Sequence, residues 1–233
     1  MSPLERIDYF DAQVALTGWL ARPAGKPRAA VVVFPTIMNT TASVEAKAQS
    51  LAEQGYLALV ADFYGEPVAD FGHSIKLATA LRSDVDRYRT RLRASLAALV
   101  DLEPELPCAA IGFCMGGQAV LELARENAGV AVVASFHGLL DSGRNAPAGG
   151  PVGPRILICH GDADPLVPRA QVIAFWEEMD AANANWHFHS YSSVGHGFTN
   201  PSPTLAGGPS SYDPSADRQS WAAMLELFDE VLG

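Results

Sequence analysis

Short apolar runs alternate along this chain with longer stretches in which apolar residues recur at helical intervals. Residues 13–21 (QVALTGWLA) predict an early antiparallel strand. The next run, 29–34 (AAVVVF), is broken by Pro35, and Val31, Val32 and Val33 show no polar alternation, so both faces of that strand are expected to be buried. Ser43 to Gln54 has helical spacing, with Ser43 as N-cap and Gly55 as the stop. Tyr56 to Ala61 (YLALVA) predicts a strand ending at Asp62, and Ile75 to Val100 is mainly helical, with room for two elements. A strand over Ala109 to Gly112 precedes a tight turn and a helix from about Gln118 to Arg125. Val130 to Phe136 and Arg155 to His160 are further strands, separated by a Gly- and Pro-rich loop at 141–154. Residues 169–182 read as a helix, 186–191 as a short strand and 214–232 as a closing helix. The tetrapeptide AGGP occurs at 148–151 and 206–209, both in expected loops, and no internal repeat is visible. Strands alternating with helices predict a mostly parallel central sheet with helices on both faces. In such sheets ligands sit at the carboxyl ends of the strands, which is where chemistry is sought.

The length of 233 residues fits a single domain over 1–233, and 48% hydrophobic residues suffice for a sizeable core. Lys plus Arg total 16 against 26 for Asp plus Glu, a formal charge of -10 that repels phosphate backbones and anionic lipid. Nucleic acid and membrane are therefore not expected partners. Cys108, Cys114 and Cys159 are too few for a disulfide-built scaffold and fit a reducing compartment. The N-terminus lacks a long apolar run, and no run approaches the length of a membrane span. The expectation is a cytoplasmic enzyme, monomeric or homodimeric, acting on a small molecule.

Three features follow strands. Gly112-Phe113-Cys114-Met115-Gly116-Gly117 has the G-x-S-x-G nucleophile-elbow pattern with Cys in the Ser position. Small neighbours at Gly112 and Gly116 let a sharp strand-to-helix turn pass close to itself. The backbone N–H of Met115 would then face a substrate oxygen, and the helix N-terminus would favour a thiolate. The glycines match neither G-x-G-x-x-G nor a P-loop. Gly161-Asp162-Ala163-Asp164 offers a carboxylate, and Asp164 is preferred over Asp162 because it lies nearer the following helix. Gly195-His196-Gly197-Phe198 offers a loop imidazole free to reach across a cleft. Alone, each is ordinary: a small buried hydrophobe, a turn Asp and a solvated loop His. Together they occur as nucleophile, acid, histidine, the chain order of α/β-hydrolases, and predict a Cys114–His196–Asp164 triad.

At these residues the sequence resembles the dienelactone hydrolase family, the carboxymethylenebutenolidase-like branch of the α/β-hydrolases. The resemblance extends through Gly55-Tyr56, Ala61-Asp62-Phe63-Tyr64-Gly65, Phe136-His137-Gly138, Thr199, Tyr212 and Asp217-Arg218-Gln219-Ser220-Trp221. It implies the α/β-hydrolase fold, hydrolysis of an ester or lactone through a thioester acyl-enzyme, and no cofactor. It also implies oxyanion donors at the backbone N–H groups of Ile37 and Met115. Two positions depart from the family. Thr36 stands where the prototypes carry a Glu that helps generate the thiolate. Thr199 and Asn200 occupy the neighbourhood of an Arg that grips a substrate carboxylate, leaving Arg82 as a possible cation.

Thr36, Tyr64, His137 and Phe198 are the expected pocket residues, although His137 could equally be a hydrogen-bonded structural histidine. His187 and His189 share a strand face, but no third ligand with clear spacing appears, so no metal is expected. Arg87, Arg89, Arg91 and Arg93 are expected to spread over a helix surface as ion-pair partners. Two other readings share the scaffold: a thioesterase or acyltransferase, and a catalytically weak small-molecule-binding homologue in which Thr36 reflects lost activation.

Overall fold

The computed structural model describes residues 4–150, 152–201 and 211–233. The second AGGP copy lies outside the described residues, as does the last residue of the first. The chain opens with a hairpin, β1 (Glu5–Asp11) and β2 (Val14–Ala21). It continues through β3 (Ala30–Phe34), α1 (Ala42–Glu53), β4 (Leu57–Val60), α2 (Phe71–Arg82), α3 (Val85–Leu102), β5 (Cys108–Phe113) and α4 (Met115–Arg125). It ends with β6 (Val132–Phe136), β7 (Arg155–Gly161), α5 (Arg169–Ala181), β8 (Asn185–Tyr191) and α6 (Pro214–Leu232). One eight-stranded sheet has the order β1-β2-β4-β3-β5-β6-β7-β8, antiparallel at β1 and β2 and parallel from β4 to β8.

The absence of polar alternation in β3 is explained by burial on both faces. Val32 packs in a core with α2 to α5, while Val31 and Val33 pack with α1 and α6. All three are 0% exposed.

The opening strand β1 escapes the hydrophobic pattern because of what alternates. Ile7, Tyr9 and Asp11 point inward while Phe10 is 66% exposed, so a charge sits on the core side and an aromatic on the water side. Asp11 is tolerated there because Arg91 donates to it at 2.7 Å. The expected surface spread of arginines is corrected accordingly. Arg89 and Arg91 are buried, whereas Arg93 pairs with Glu126 at the surface. Arg89 joins Glu122, Arg125 and Glu178 in a continuous buried ion network linking α3, α4 and α5. The same network ties down the segment after β6. Arg125 and Arg89 donate to the carbonyls of Leu140 and Arg144, and Glu178 accepts from the N–H of Ala146.

Boundaries shift where caps decide them. α1 is preceded by Thr41, so Ser43 lies inside the first turn and is not the cap. Gly55 does follow the helix, with φ +90°. The Arg-rich segment divides at Ser83 and Asp84. The Asp70 carboxylate accepts from His73 N–H to start α2, and that of Asp84 accepts from Asp86 and Arg87 N–H to start α3. The helix expected from Gln118 begins three residues earlier, directly on the elbow.

Candidate active site

The turn after β5 is forced into shape by its glycines. A Cβ on Gly112 would stand 1.9 Å from the Gly116 carbonyl oxygen, and one on Gly116 would stand 2.1 Å from that of Phe34. Only this close passage lets α4 begin at once. Cys114 between them has φ +57° and ψ −115°, an unfavourable conformation for a residue with a side chain. Its N–H is shared between the Phe136 carbonyl and His137 Nδ1, each at 3.1 Å. Cys114 is half-buried, while Cys108 and Cys159 are buried.

Beyond β3, the Thr36–Asn39 turn presents the N–H of Ile37. Asn39 N–H donates to the Thr36 carbonyl at 2.9 Å, and Met38 N–H to the Thr36 hydroxyl at 3.2 Å. The turn is locked from the β4 side. Asn39 donates to the Asp62 carboxylate at 2.8 Å and accepts from Phe63 N–H at 3.1 Å, while the Tyr64 hydroxyl donates to the Ile37 carbonyl at 2.9 Å. Asp62 also accepts from the N–H groups of Thr17, Tyr64 and Gly65. Sequence reasoning missed this Asn39–Asp62 clamp. Its one local signal is an Asn suited to the left-handed backbone, here at φ +62°.

After β7, Asp164 is 4% exposed, and its Oδ1 accepts from Leu166 N–H at 2.9 Å. Its Oδ2 accepts from His196 Nδ1 at 2.7 Å. Asp162, the competing carboxylate, instead binds exposed Arg169. With Nδ1 committed to Asp164, His196 turns Nε2 inward, where that atom is buried without a partner at hydrogen-bonding geometry. The Cys114 sulfur is close enough to be felt electrically. Burial opposes the thiolate, yet His196 and the N–H groups of Met115 and Ile37 outweigh it and lower the thiol pKa. Burial likewise opposes the imidazolium, and Asp164 with Cys114 raises the His196 pKa. The structure thus brings Cys114, His196, Asp164 and the Met115 and Ile37 N–H groups together at the carboxyl ends of β3, β5 and β7 and in the loop after β8.

The other expected pocket residues fall differently. His137 and Phe198 are buried beneath His196, not on an open wall; they are 2% and 0% exposed. Their rings make edge contacts, His137 with His196 and with Phe198 at 5.3 Å each. Tyr64 is buried, and Thr36 spends its hydroxyl on the turn. Arg82 lies near the Tyr64 and Tyr88 hydroxyls, and Asp141 sits 3.1 Å from its guanidinium. His187 and His189 are exposed on the edge strand β8. Among the described residues, no three His, Cys, Asp or Glu side chains are grouped to hold a metal ion, and no helix is long and apolar enough to cross a membrane.

Comparison with known proteins agrees in fold and family. A model of the dienelactone hydrolase family matches residues 16–232. A probable 2-oxo-3-(5-oxofuran-2-ylidene)propanoate lactonase of a Bradyrhizobium species is 30% identical over 196 residues, 77% of each chain. An uncharacterized protein of Caenorhabditis elegans is 38% identical over 153 residues, 62% of this chain and 94% of its own. The crystal structure of a dienelactone hydrolase-like promiscuous phosphotriesterase from metagenomic libraries superposes with a TM-score of 0.91 at 32% identity, covering 100% of both chains.

Proposed function

The chain belongs to the dienelactone hydrolase family and is an ester or lactone hydrolase, and we propose that it works through a Cys114–His196–Asp164 triad and a thioester intermediate. The observation that carries this reading is the 2.7 Å bond from His196 Nδ1 to Asp164, which leaves Nε2 for the thiol. In the first step His196 Nε2 takes the Cys114 thiol proton and the thiolate attacks the carbonyl carbon of a small ester or lactone. The carbonyl electron pair moves to oxygen, which binds the N–H groups of Met115 and Ile37. One such donor is typically worth about 2.7–4 kcal/mol of barrier. The tetrahedral adduct collapses to a thioester, and His196 gives its Nε2 proton to the departing oxygen; in a lactone that oxygen stays attached to the acyl chain. His196 then takes a proton from water, which attacks the thioester and releases the acid and the thiol. Asp164 keeps the imidazole oriented and its Nδ1 protonated throughout.

Thr36 does not argue for an inert binder. The sulfur has neighbours that favour the thiolate without a carboxylate at that position: His196 and two backbone N–H groups. The Thr36 hydroxyl instead shapes the turn that aims one of those groups. The test is a panel of neutral and acidic esters and lactones with Cys114→Ala beside the unmodified protein. Turnover should fall to background in the variant. Full turnover by Cys114→Ala would overturn the mechanism. Assays with added alcohols or thiols read out transfer against hydrolysis, and only acid product is expected to dominate.

A further inference from the structure

Two residues with side chains hold left-handed backbone at the ends of adjacent strands, Cys114 after β5 and His137 after β6, with φ +57° and +41°. The His137 side chain reaches back to its neighbour. Its Nδ1 accepts the Cys114 N–H at 3.1 Å, so that nitrogen carries no proton. The neutral ring must then carry its proton on Nε2, which donates to the Thr199 hydroxyl at 2.8 Å. Thr199 belongs to the loop that carries His196. One buried imidazole therefore hydrogen-bonds to the Cys114 backbone and to the loop bearing the base, and its ring packs edge-on against His196 at 5.3 Å. The ring is held by its surroundings: Phe113 lies at 6.1 Å between ring centres and Phe198 at 5.3 Å, and the His137 backbone N–H donates to the Cys159 carbonyl at 2.8 Å.

We propose that His137 is a positioning residue, a neutral cross-link from the Cys114 backbone to Thr199 that sets the spacing between the nucleophile and His196. The inference rests on the triad mechanism above. A neutral ring fits this place, because burial first and the neighbouring His196 second depress the His137 pKa strongly. This bond ties the His196 loop to the elbow by a side-chain link. The loop has a separate backbone anchor from Asp213 N–H to the Phe198 carbonyl at 3.1 Å. Loss of the cross-link should thus shift His196 without unfolding the loop.

Thr199→Val keeps the shape and removes the acceptor. His137→Asn keeps an acceptor near the Cys114 N–H but is too short to reach Thr199. Each should lower kcat by up to about 100-fold, the scale of a misplacement near 1 Å, with KM nearly unchanged. Each should also slow Cys114 alkylation by iodoacetamide. Thr199→Ser should restore both readouts, and the His137→Asn/Thr199→Val double variant should lose no more than the worse single variant. Unmodified kcat and alkylation in folded Thr199→Val, or losses that multiply in the double variant, would overturn the proposal. So would Thr199→Ser failing alongside Thr199→Val, which would point to packing. The alkylation arm is decisive even if no ester is turned over, an outcome that would sink the triad mechanism and leave the cross-link to be judged on thiol reactivity alone.

Discussion

The Arg89–Glu122–Arg125–Glu178 network and the Cys114–His196–Asp164 cleft both hold opposite charges away from bulk water, yet they treat their bonding capacity in opposite ways. In the network, side-chain exposure is 7%, 2%, 0% and 6%, and Arg125 and Arg89 also donate to the carbonyls of Leu140 and Arg144. Burial works against the Arg125 charge, but Glu178 and Glu122 overcome it and raise its pKa. In the cleft, Asp164 accepts bonds on both oxygens while His196 Nε2 has no partner at hydrogen-bonding geometry among the described residues, and Cys114, half-buried, sits on strained backbone. A fully satisfied set of charges holds elements together, because any change costs bonds. A set with one unsatisfied member beside a strained nucleophile keeps bonding capacity in reserve for a reacting group.

That contrast breaks if the two places respond alike to loss of a carboxylate. The largest effect is expected at Asp164→Asn. The amide can no longer compel a proton on His196 Nδ1, and turnover should fall about 10⁴-fold with thermal stability little changed. Steady-state kinetics with a melting curve on the same sample check this. A loss of less than tenfold would mean that the bond to His196 is structural, like those of the network.

Glu122→Ala is the opposite case, smaller in activity and larger in stability. It leaves Arg125 and Arg89 buried without that carboxylate, so folding should weaken by about 3–5 kcal/mol. For a chain of this size that is roughly a 10 °C fall in Tm. Because the network touches none of the candidate reacting groups, kcat per folded molecule should be retained. Active-site titration by alkylation, used to normalise the rate, separates the two readouts. A matched fall in normalised kcat would show that the network also tunes the cleft.

The two places also differ in how far they could be read from the sequence. The cleft was legible because its parts are local: glycines two residues either side of Cys114, Asp164 after a strand, and His196 between glycines. Each signal rests on a tight turn, and a tight turn imposes a short spacing. Choosing Asp164 over Asp162 needed only the position of the next helix. The ion network was illegible because Arg89 and Glu178 are brought together by the packing of α3, α4 and α5, not by spacing. The same holds for Asp11, whose partner Arg91 is 80 residues away; without that partner, an inward carboxylate disguises β1. The Asn39–Asp62 clamp and the His137–Thr199 bond likewise depend on which strands become neighbours in the sheet.

The smallest expected effect is a shift of charge state, with no loss of fold. Burial alone would push the Cys114 thiol up, as it does for Cys108 and Cys159, the latter to about 12. At Cys114 the His196 imidazolium and two backbone N–H groups reverse the sign and lower it. The thiolate should therefore persist below the ordinary thiol range and be lost only as pH falls through the depressed value. Alkylation of Cys114 by iodoacetamide, a neutral reagent, follows the thiolate fraction, and each unit of midpoint is a tenfold change in rate on the acid side. The unmodified protein should titrate below the ordinary thiol pKa, with Cys108 and Cys159 nearly silent. In His196→Gln the largest lowering influence is gone and burial remains, so the midpoint should move upward. If it stayed in place, the backbone donors at Met115 and Ile37 would be holding the thiolate unaided. The cleft would then hold a sulfur anion fixed by hydrogen bonds alone, satisfied in the manner of the buried network rather than poised against a base.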